Sequence, residues 1–122
     1  MAEHNELGEK GEHLAMEYLK EKGYTILNTN WRYGHLEIDI VARKEKIVVF
    51  AEVKTRSSEQ WGKPEEFVHY KKRKRLVKAA EIYLTKKNLM TEMRFDIIAV
   101  ILSQDYHKIK HIEEAFIPGI DV

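Results

Sequence analysis

The sequence contains no cysteine and only two prolines in 122 residues. The missing cysteine excludes disulfides and thiolate metal sites, and it permits a reducing compartment. No apolar run approaches the roughly 20 residues that span a bilayer. The polar and acidic start, MAEHNELGEKGEH, is not that of a signal peptide. We therefore expect a cytoplasmic protein with no membrane partner.

An excess of charge of one sign is also missing, because the formal net charge is only +1. The chain as a whole thus gives no argument for a nucleic-acid partner, and any such argument must come from local clusters. The length of 122 residues suits one domain with a real hydrophobic core. No linker or internal repeat interrupts it, so we expect a single domain over residues 1–122.

Apolar periodicity predicts two helices, Glu6 to Lys22 and Pro64 to about Lys87. In the first helix Gly8 and Gly11 lie on or beside the apolar stripe, where we expect another element to approach closely. Runs of apolar and β-branched residues predict five strands. These are Tyr24 to Arg32, Leu36 to Ala42, Ile47 to Lys54, Arg94 to Leu102 and Lys108 to Phe116. The order predicts an α/β fold, a mixed five-stranded sheet flanked by helices.

The stretch FAEVKTR places Glu52 and Lys54 inside an apolar strand, on one side of the chain. The preceding strand carries two acids in the same alternation, Glu37 and Asp39, with Ile38 and Ile40 expected on the other face. RKEK between the strands predicts a turn and an antiparallel hairpin. With the turn centred between residues 44 and 45, Glu37 lies opposite Glu52 and Asp39 diagonal to it. A register shifted by two places Asp39 directly opposite Glu52.

Carboxylates crowded on one sheet face repel one another, and burial strengthens the repulsion. A divalent cation relieves it, and Mg²⁺ (or Mn²⁺) binds through one or two carboxylates, waters and substrate phosphate oxygens. A neighbouring lysine can orient water or stabilise charge that builds on a phosphate. The pattern therefore predicts a metal-dependent phosphodiester-cleaving site at Asp39, Glu52 and Lys54. Glu37 is either a further ligand or the acid that begins its strand.

The motifs EID and EVK, joined by a hairpin and followed by a helix, resemble the core signature of the PD-(D/E)xK nuclease superfamily, which has the restriction-endonuclease-like fold. Nearly the whole chain also resembles the YraN-like family of small bacterial proteins. The matching segments are GEKGEHLAMEYLKEKGYTILNTNWR, EIDIVA, VFAEVKTRSS, WGKPEEFV, KKRKRLVKAAEIYL and RFDIIAV. This chain departs from the usual family GEID by reading GHLEID. The family is similar in turn to archaeal Holliday-junction resolvases.

The resemblance implies a metal-dependent endonuclease whose partner is DNA, including branched DNA, and which works as a homodimer. It implies Asp39 and Glu52 as metal ligands and Lys54 as the catalytic lysine. Glu12, the acid of the GxxGE pattern, corresponds to the first-helix glutamate of the resolvases, which makes it a further expected catalytic residue and metal ligand. Helical geometry agrees, since Glu12 lies about 20° around the helix from Leu19, on the margin of the apolar stripe.

The run HYKKRKR is the one concentrated basic patch. It is either a solvated helix face or a phosphate-contact surface, and we favour phosphate contact. Its candidate nucleic-acid-binding residues are Lys71, Lys72, Arg73, Lys74 and Arg75. Lys72 stands four residues before Leu76 and is expected to face inward. Arg56 is a further candidate phosphate contact, and Arg32 is either such a contact or a surface charge.

Three other features have a structural or an open interpretation. Trp61 either anchors its loop or stacks on a base. Asp96 interrupts an apolar strand, and we expect it to pair with Arg94 or with a lysine of a helix. His107 and His111 do not have the spacing of a zinc site.

Two alternatives to the nuclease stay open, a nucleic-acid-binding module without catalysis and an adaptor that binds another protein.

Overall fold

The computed structural model describes residues 2–58 and 69–122, which form two helices and five strands. The helices are α1 (Ala2–Glu21) and α2 (Tyr70–Lys86). The strands are β1 (Thr25–Tyr33), β2 (Leu36–Lys44), β3 (Ile47–Arg56), β4 (Glu92–Leu102) and β5 (His107–Phe116). The sheet order is β1-β2-β3-β4-β5. Only β3 and β4 pair in parallel, and the other neighbours are antiparallel.

This arrangement confirms the predicted α/β fold with a mixed five-stranded sheet, and it is consistent with a restriction-endonuclease-like core. Each face of the sheet packs against one helix. Ala15 and Leu19 of α1 pack on a cluster that includes Ile40 and Val49. On the other face, α2 packs on a cluster of larger side chains; it comprises Leu76, Ala79, Ala80 and Tyr83 with Phe50, Phe95 and Phe116. The sheet is therefore buried on both faces, which explains its near-continuous apolar strands.

The helix boundaries differ from the prediction for local reasons. Helix α1 ends where Gly23 takes a φ of 93°, and the amide of Tyr24 donates a 2.9 Å hydrogen bond to the carbonyl of Leu19. This left-handed cap is one that glycine favours. Helix α2 begins at Tyr70 because His69 has an extended backbone, with φ −79° and ψ 167°. The predicted start at Pro64, like Trp61, lies outside the described residues.

The hairpin is tighter than predicted. Strand β2 continues to Lys44 and β3 begins at Ile47, so the turn consists of Glu45 and Lys46 alone. Glu45 takes a φ of 55°, as two-residue hairpin turns require. The register pairs Lys44 with Ile47 and Ile40 with Ala51. Of the two predicted registers, the one shifted by two is therefore observed.

Neither helix in the described ranges is long and apolar enough to cross a membrane.

Candidate active site

Asp39 lies where the β2–β3 ladder ends, one residue beyond the last pair, Ile40 with Ala51. Its Oδ2 accepts a 2.8 Å hydrogen bond from the backbone amide of Val53. Ile38 packs in the cluster on the α2 side, whereas Ile40 packs in the cluster on the α1 side. The expectation that these two isoleucines share a face is therefore wrong. The regular alternation of strand β2 is broken at Asp39, between its two apolar neighbours.

Glu52 is a buried acid, 5% exposed, near the carboxyl end of β3. It lies on the α2 side of the sheet, since Phe50 two residues earlier packs there. Its Oε1 is in direct contact with the ammonium of Lys72 on α2 and lies 3.7 Å from the Nζ of Lys54. The acid and base of the EVK motif thus form a three-membered charged cluster with one residue from the second helix.

An open cleft of about 310 Å³ gives access to both acids. Its walls come from the first half of α1, from Asp39 on β2 and from the end of β3. The lining residues are Leu7, Gly8, Glu12, Asp39, Glu52, Val53, Lys54, Thr55 and Arg56. The structure therefore brings the four predicted catalytic residues, Asp39, Glu52, Lys54 and Glu12, to one cleft, together with Arg56.

The carboxylates of Asp39 and Glu52 lie close enough in the cleft for the charge of Glu52 to disfavour ionisation of Asp39. Burial raises the pKa of Asp39 to about 7, the charge of Glu52 adds to this effect, and the Val53 amide opposes it. Burial also raises the pKa of Glu12, with smaller contributions from the charges of Glu37 and Glu52. A carboxylate with a raised pKa in a cleft is typical of catalytic and metal-binding sites.

The two cluster lysines respond to the same environment in opposite directions. Burial lowers the pKa of Lys54, and the neighbouring Lys72 ammonium lowers it further. Burial also acts to lower the pKa of Lys72, but the hydrogen bond and the charge of Glu52 outweigh it, so that this pKa is raised. Lys72 is thus the firmly charged partner of Glu52, and Lys54 is the lysine that gives up its proton more readily.

Helix α1 reaches the cleft because Gly11 allows close contact with β3. A Cβ at Gly11 would lie 1.9 Å from the Oγ1 of Thr55. This confirms the expected close approach at Gly11, but the same expectation is wrong for Gly8, where a Cβ would have nothing within 4 Å. The next residue, Glu12, is oriented by Asn30, whose Nδ2 donates a 3.5 Å hydrogen bond to Glu12 Oε2.

Asn30 is a site residue that the sequence analysis missed. It has a φ of 49°, and its neighbours Thr29 and Trp31 pair with Ile40 and Ile38. It therefore stands across from Asp39, where strand β2 changes its alternation. Asparagine is enriched at left-handed positions, but nothing in the run NTNW distinguishes Asn30 from Asn28.

Glu37 and Arg32 lie outside the cleft. They face each other in the β1–β2 register, and their side chains form a 3.7 Å ion pair, with Arg32 72% and Glu37 44% exposed. Glu37 is thus engaged at the surface, and we leave it out of the proposed site. Its role as a ligand stays a prediction, as does phosphate contact by Arg32.

The basic run divides into three environments. Lys72 points inward to Glu52, as its spacing from Leu76 predicts. The guanidinium of Arg73 lies 5.7 Å from the ring centre of Phe116, and the ammonium of Lys74 lies 5.5 Å from that of Tyr70. Lys71 and Arg75 are exposed. Phosphate contact by the basic run stays a prediction, and its most exposed cations are those that α2 turns to solvent.

The residues of the cleft suit a hard divalent cation in chemical type. In residues 6–58 and 69–122, no three carboxylate or imidazole side chains form a complete metal-binding group. Mg²⁺ needs only one or two carboxylates, because water and substrate oxygens complete its shell. Asp39 and Glu52 open to the same cleft, and burial together with the charge of Glu52 makes Asp39 harder to ionise. A cation at Asp39 and Glu52 would oppose that effect.

A second buried acid, Asp96, lies on β4 away from the cleft. Its two oxygens accept hydrogen bonds of 2.8 and 2.7 Å from Arg94, and Oδ2 lies 2.7 Å from His111 Nε2. The amide of Glu114 donates a further bond of 3.1 Å to Oδ1. The predicted pairing with Arg94 is therefore observed, and His111 belongs to this network.

Comparison with known proteins gives the family of the chain. The model of the uncharacterised protein family UPF0102 matches residues 11–100. The chain belongs to the UPF0102 family. A UPF0102 protein of Flavobacterium psychrophilum is 53% identical over 116 residues, which cover 95% of this chain and 98% of the relative. A UPF0102 protein of Bacteroides thetaiotaomicron is 52% identical over 120 residues, or 98% of this chain and 99% of the relative.

The UPF0102 match confirms the YraN-like family that the motifs predict. It spans Glu12, the hairpin acids, Lys54 and the basic helix. The family is described as uncharacterised, so the match gives no reaction.

Proposed function

We propose that this UPF0102 protein is a Mg²⁺-dependent endonuclease that hydrolyses phosphodiester bonds in DNA. The observation that carries the proposal is the meeting of Asp39, Glu52 and Lys54 in one open cleft, with the two acids in electrostatic conflict. A protein that only needs a stable sheet has no reason to place repelling acids beside a cleft, since the arrangement lowers stability. The resemblance to the PD-(D/E)xK nucleases supports the same reaction.

Each cleft residue has a role that its position supports. Asp39 and Glu52 would hold Mg²⁺, which would supply positive charge to the phosphoryl oxygens and to the leaving 3′-oxygen. Lys54 is oriented by Glu52, and its lowered pKa suits a group that holds the attacking water and gives or takes a proton. Glu12, on the opposite wall, orders a second water or ligand. Water adds to phosphorus and loses a proton to the neutral form of Lys54, the bond from phosphorus to the 3′-oxygen breaks, and the 3′-oxygen takes a proton from the solvent of the open cleft.

The substrate enters from the open side of the cleft, where Arg56 lines the wall. The exposed cations Lys71 and Arg75 on α2 would contact the flanking phosphates. The resolvase resemblance makes branched DNA the first substrate to test. Paired nicks in a branched substrate need two active sites, so we extend the proposal to a two-fold homodimer on DNA, acting in the cytoplasm.

The test is cleavage of a labelled four-way junction, a linear duplex and single-stranded DNA, with Mg²⁺, with Mn²⁺ and with a chelator. We expect cleavage that requires the metal and that disappears in Lys54→Met. This variant keeps both acids, so metal binding measured by calorimetry should persist. Metal-independent cleavage, or cleavage that Lys54→Met retains, would show that another site or a contaminant does the chemistry.

One observation favours a second candidate function, a nucleic-acid-binding module without catalysis. Glu52 already has the ammonium of Lys72 as its counter-ion, so the buried acid is compensated without a metal. A binding module would bind DNA equally with and without Mg²⁺ and would cleave none of the three substrates. The same assay, run beside a mobility-shift measurement, therefore separates the two functions.

A further inference from the structure

Lys72 is the cation in closest contact with the buried Glu52 among the described residues. Its ammonium touches Glu52 Oε1, while Lys54 lies 3.7 Å from the same oxygen. The Lys72 side chain is 39% exposed, against 6% for that of Glu52. The contact therefore joins a carboxylate with little exposure to water to an ammonium that is much more exposed. Lys72 belongs to the first turn of α2, and Glu52 to the centre of the sheet.

A buried carboxylate needs a counter-ion, because an isolated buried charge costs several kcal/mol. Lys72 supplies that charge in the metal-free protein. A divalent cation coordinated by Glu52 would bind the carboxylate that Lys72 now contacts, and its charge would repel the ammonium. The two cations therefore compete for one carboxylate. Lys72 can leave at little cost, since its side chain already reaches solvent.

We propose that Lys72 is a built-in counter-ion of Glu52 that the catalytic metal displaces, and that the released ammonium then binds a substrate phosphate. The inference rests on the proposed function, because it requires a metal at Glu52. It assigns Lys72 a double role that a simple phosphate contact lacks. Metal affinity and DNA affinity should respond to loss of Lys72 in opposite directions.

The first experiment needs no variant. The ¹³Cε–¹⁵Nζ signals of labelled lysines are followed by NMR while Mg²⁺ is added to the protein without DNA. We expect the Lys72 signal to shift as its contact with Glu52 is lost, and the signal of Lys78, an exposed lysine of the same helix, to stay in place. A Lys72 signal that stays unchanged while Mg²⁺ binds would overturn the exchange.

The second experiment measures Mn²⁺ affinity in the absence of DNA for wild type, Lys72→Met and the matched control Lys78→Met. Removing the competing ammonium should tighten Mn²⁺ binding roughly tenfold, or about 1.4 kcal/mol, and the control should bind like wild type. Lys72→Arg keeps the charge and should not bind the metal more tightly than wild type. At saturating Ca²⁺, Lys72→Met should bind a short duplex several-fold more weakly than the control.

The outcomes separate the two proposals. If wild type and all variants fail to bind Mn²⁺, the proposed function fails together with this inference. If wild type binds Mn²⁺ and Lys72→Met binds it equally or more weakly, only the counter-ion role fails. Tighter metal binding with unchanged duplex affinity overturns the phosphate contact and leaves the exchange. A Lys72→Met chain that does not fold leaves the NMR titration and Lys72→Arg to decide.

Discussion

Two acids are buried in the part of the chain that the structure describes, Glu52 and Asp96, and they lie in the same sheet with different surroundings. Asp96 is 1% exposed, and its oxygens are held by Arg94, His111 and the Glu114 amide. These hydrogen bonds overcome the effect of burial and lower the pKa of Asp96. Nothing in its surroundings is left for a ligand to satisfy.

Glu52 shares its cleft with Asp39, a second acid, and burial together with the charge of Glu52 raises the pKa of Asp39 to about 7. The described cleft is open, so solvent and solutes reach this pair. The comparison teaches that burial of an acid is by itself no sign of function. Asp96, whose charge is held by several hydrogen bonds, is structural. Asp39, which lies beside a cleft and whose ionisation is opposed by burial and by a neighbouring acid, is a functional candidate together with that neighbour.

The largest effect we expect comes from Asp39→Asn. The change removes one proposed metal-binding carboxylate and should reduce metal-dependent cleavage at least about a hundredfold to a thousandfold, the scale of losing one group that stabilises transition-state charge. Stability should hold or rise, because an amide oxygen still accepts the Val53 hydrogen bond and the repulsion from Glu52 is gone. Single-turnover cleavage and chemical denaturation measure the two quantities. Lost activity that merely follows lost folding would contradict the assignment.

The matched substitution in the hydrogen-bond network on β4, Asp96→Asn, should lower the stability of the fold instead of the cleavage rate. The change removes the carboxylate that holds the largely buried Arg94, and the exposed Glu113, 3.2 Å from the same guanidinium nitrogen, replaces it only in part. We expect a loss of about 3 kcal/mol, the scale for a buried pair that loses one member. Denaturation curves measure the loss. Under conditions where the variant is folded, its cleavage rate should stay within about twofold of wild type, since Asp96 does not line the cleft. A fall in rate as large as that of Asp39→Asn would remove the distinction between the two regions.

In the metal-free protein, Asp39 and Asp96 should also make the free energy of unfolding depend on pH in opposite ways. The pKa of Asp39 is raised from 3.8 to about 7, so between these values the folded state keeps a proton that the unfolded state has lost. Stability therefore rises as the pH falls from about 7. For Asp96 the pKa is lowered from 3.8, so its contribution is present above that value and is lost as the pH falls below it.

Denaturation at a series of pH values with a chelator present tests this prediction. Asp39→Asn should remove the rise in stability below neutral pH and keep the loss in acid. Saturating Mg²⁺ should have the same flattening effect on wild type if the cation binds at Asp39. An unchanged slope in Asp39→Asn would mean that another group titrates in this range.

The glycines of α1 offer a smaller and more local test. Gly11→Ala forces a Cβ against Thr55, whose Oγ1 would be 1.9 Å away, so we expect a loss of roughly 1–3 kcal/mol and weaker cleavage as Glu12 moves with its helix. Gly8→Ala is the matched control, since a Cβ there meets nothing. It should stabilise the helix by about 0.5–1 kcal/mol. Equal effects of both variants would contradict the close contact between α1 and β3.

Much of the fold follows from sequence patterns, because apolar period and turn residues act locally. The strands from Ile47 and from Leu36 were predictable, and so was the charged pair on one side of β3. The switch of sides between Ile38 and Ile40 was not, because a strict two-residue alternation assumes a regular strand. It coincides with Asn30, whose left-handed backbone has no clear signal in the sequence.

The candidate site, like the fold, was predictable where it depends on local sequence patterns. Asp39, Glu52 and Lys54 share a hairpin, so short-range alternation brings them together. The contact between Lys72 and Glu52 depends on how α2 docks on the sheet, and helical spacing predicts only that Lys72 faces inward. The sequence left two roles open for Glu37 for a related reason, since its partner Arg32 comes from the neighbouring strand and pairs with it at the surface.

The smallest effect we expect is that of Glu37→Gln. Its ion pair with Arg32 is exposed on both sides, and exposed pairs of this kind contribute about 0–1 kcal/mol at most. Cleavage should stay within about threefold of wild type, with a slight change through the charge that Glu37 exerts on Glu12. Glu37 and Asp39 are two residues apart on one strand and belong to the same EID motif, but only Asp39 lines the cleft. Comparing the two variants therefore tests whether lining the cleft, or belonging to the motif, determines which acid is needed for cleavage. A loss comparable to that of Asp39→Asn would return Glu37 to the metal site and require its side chain to leave Arg32.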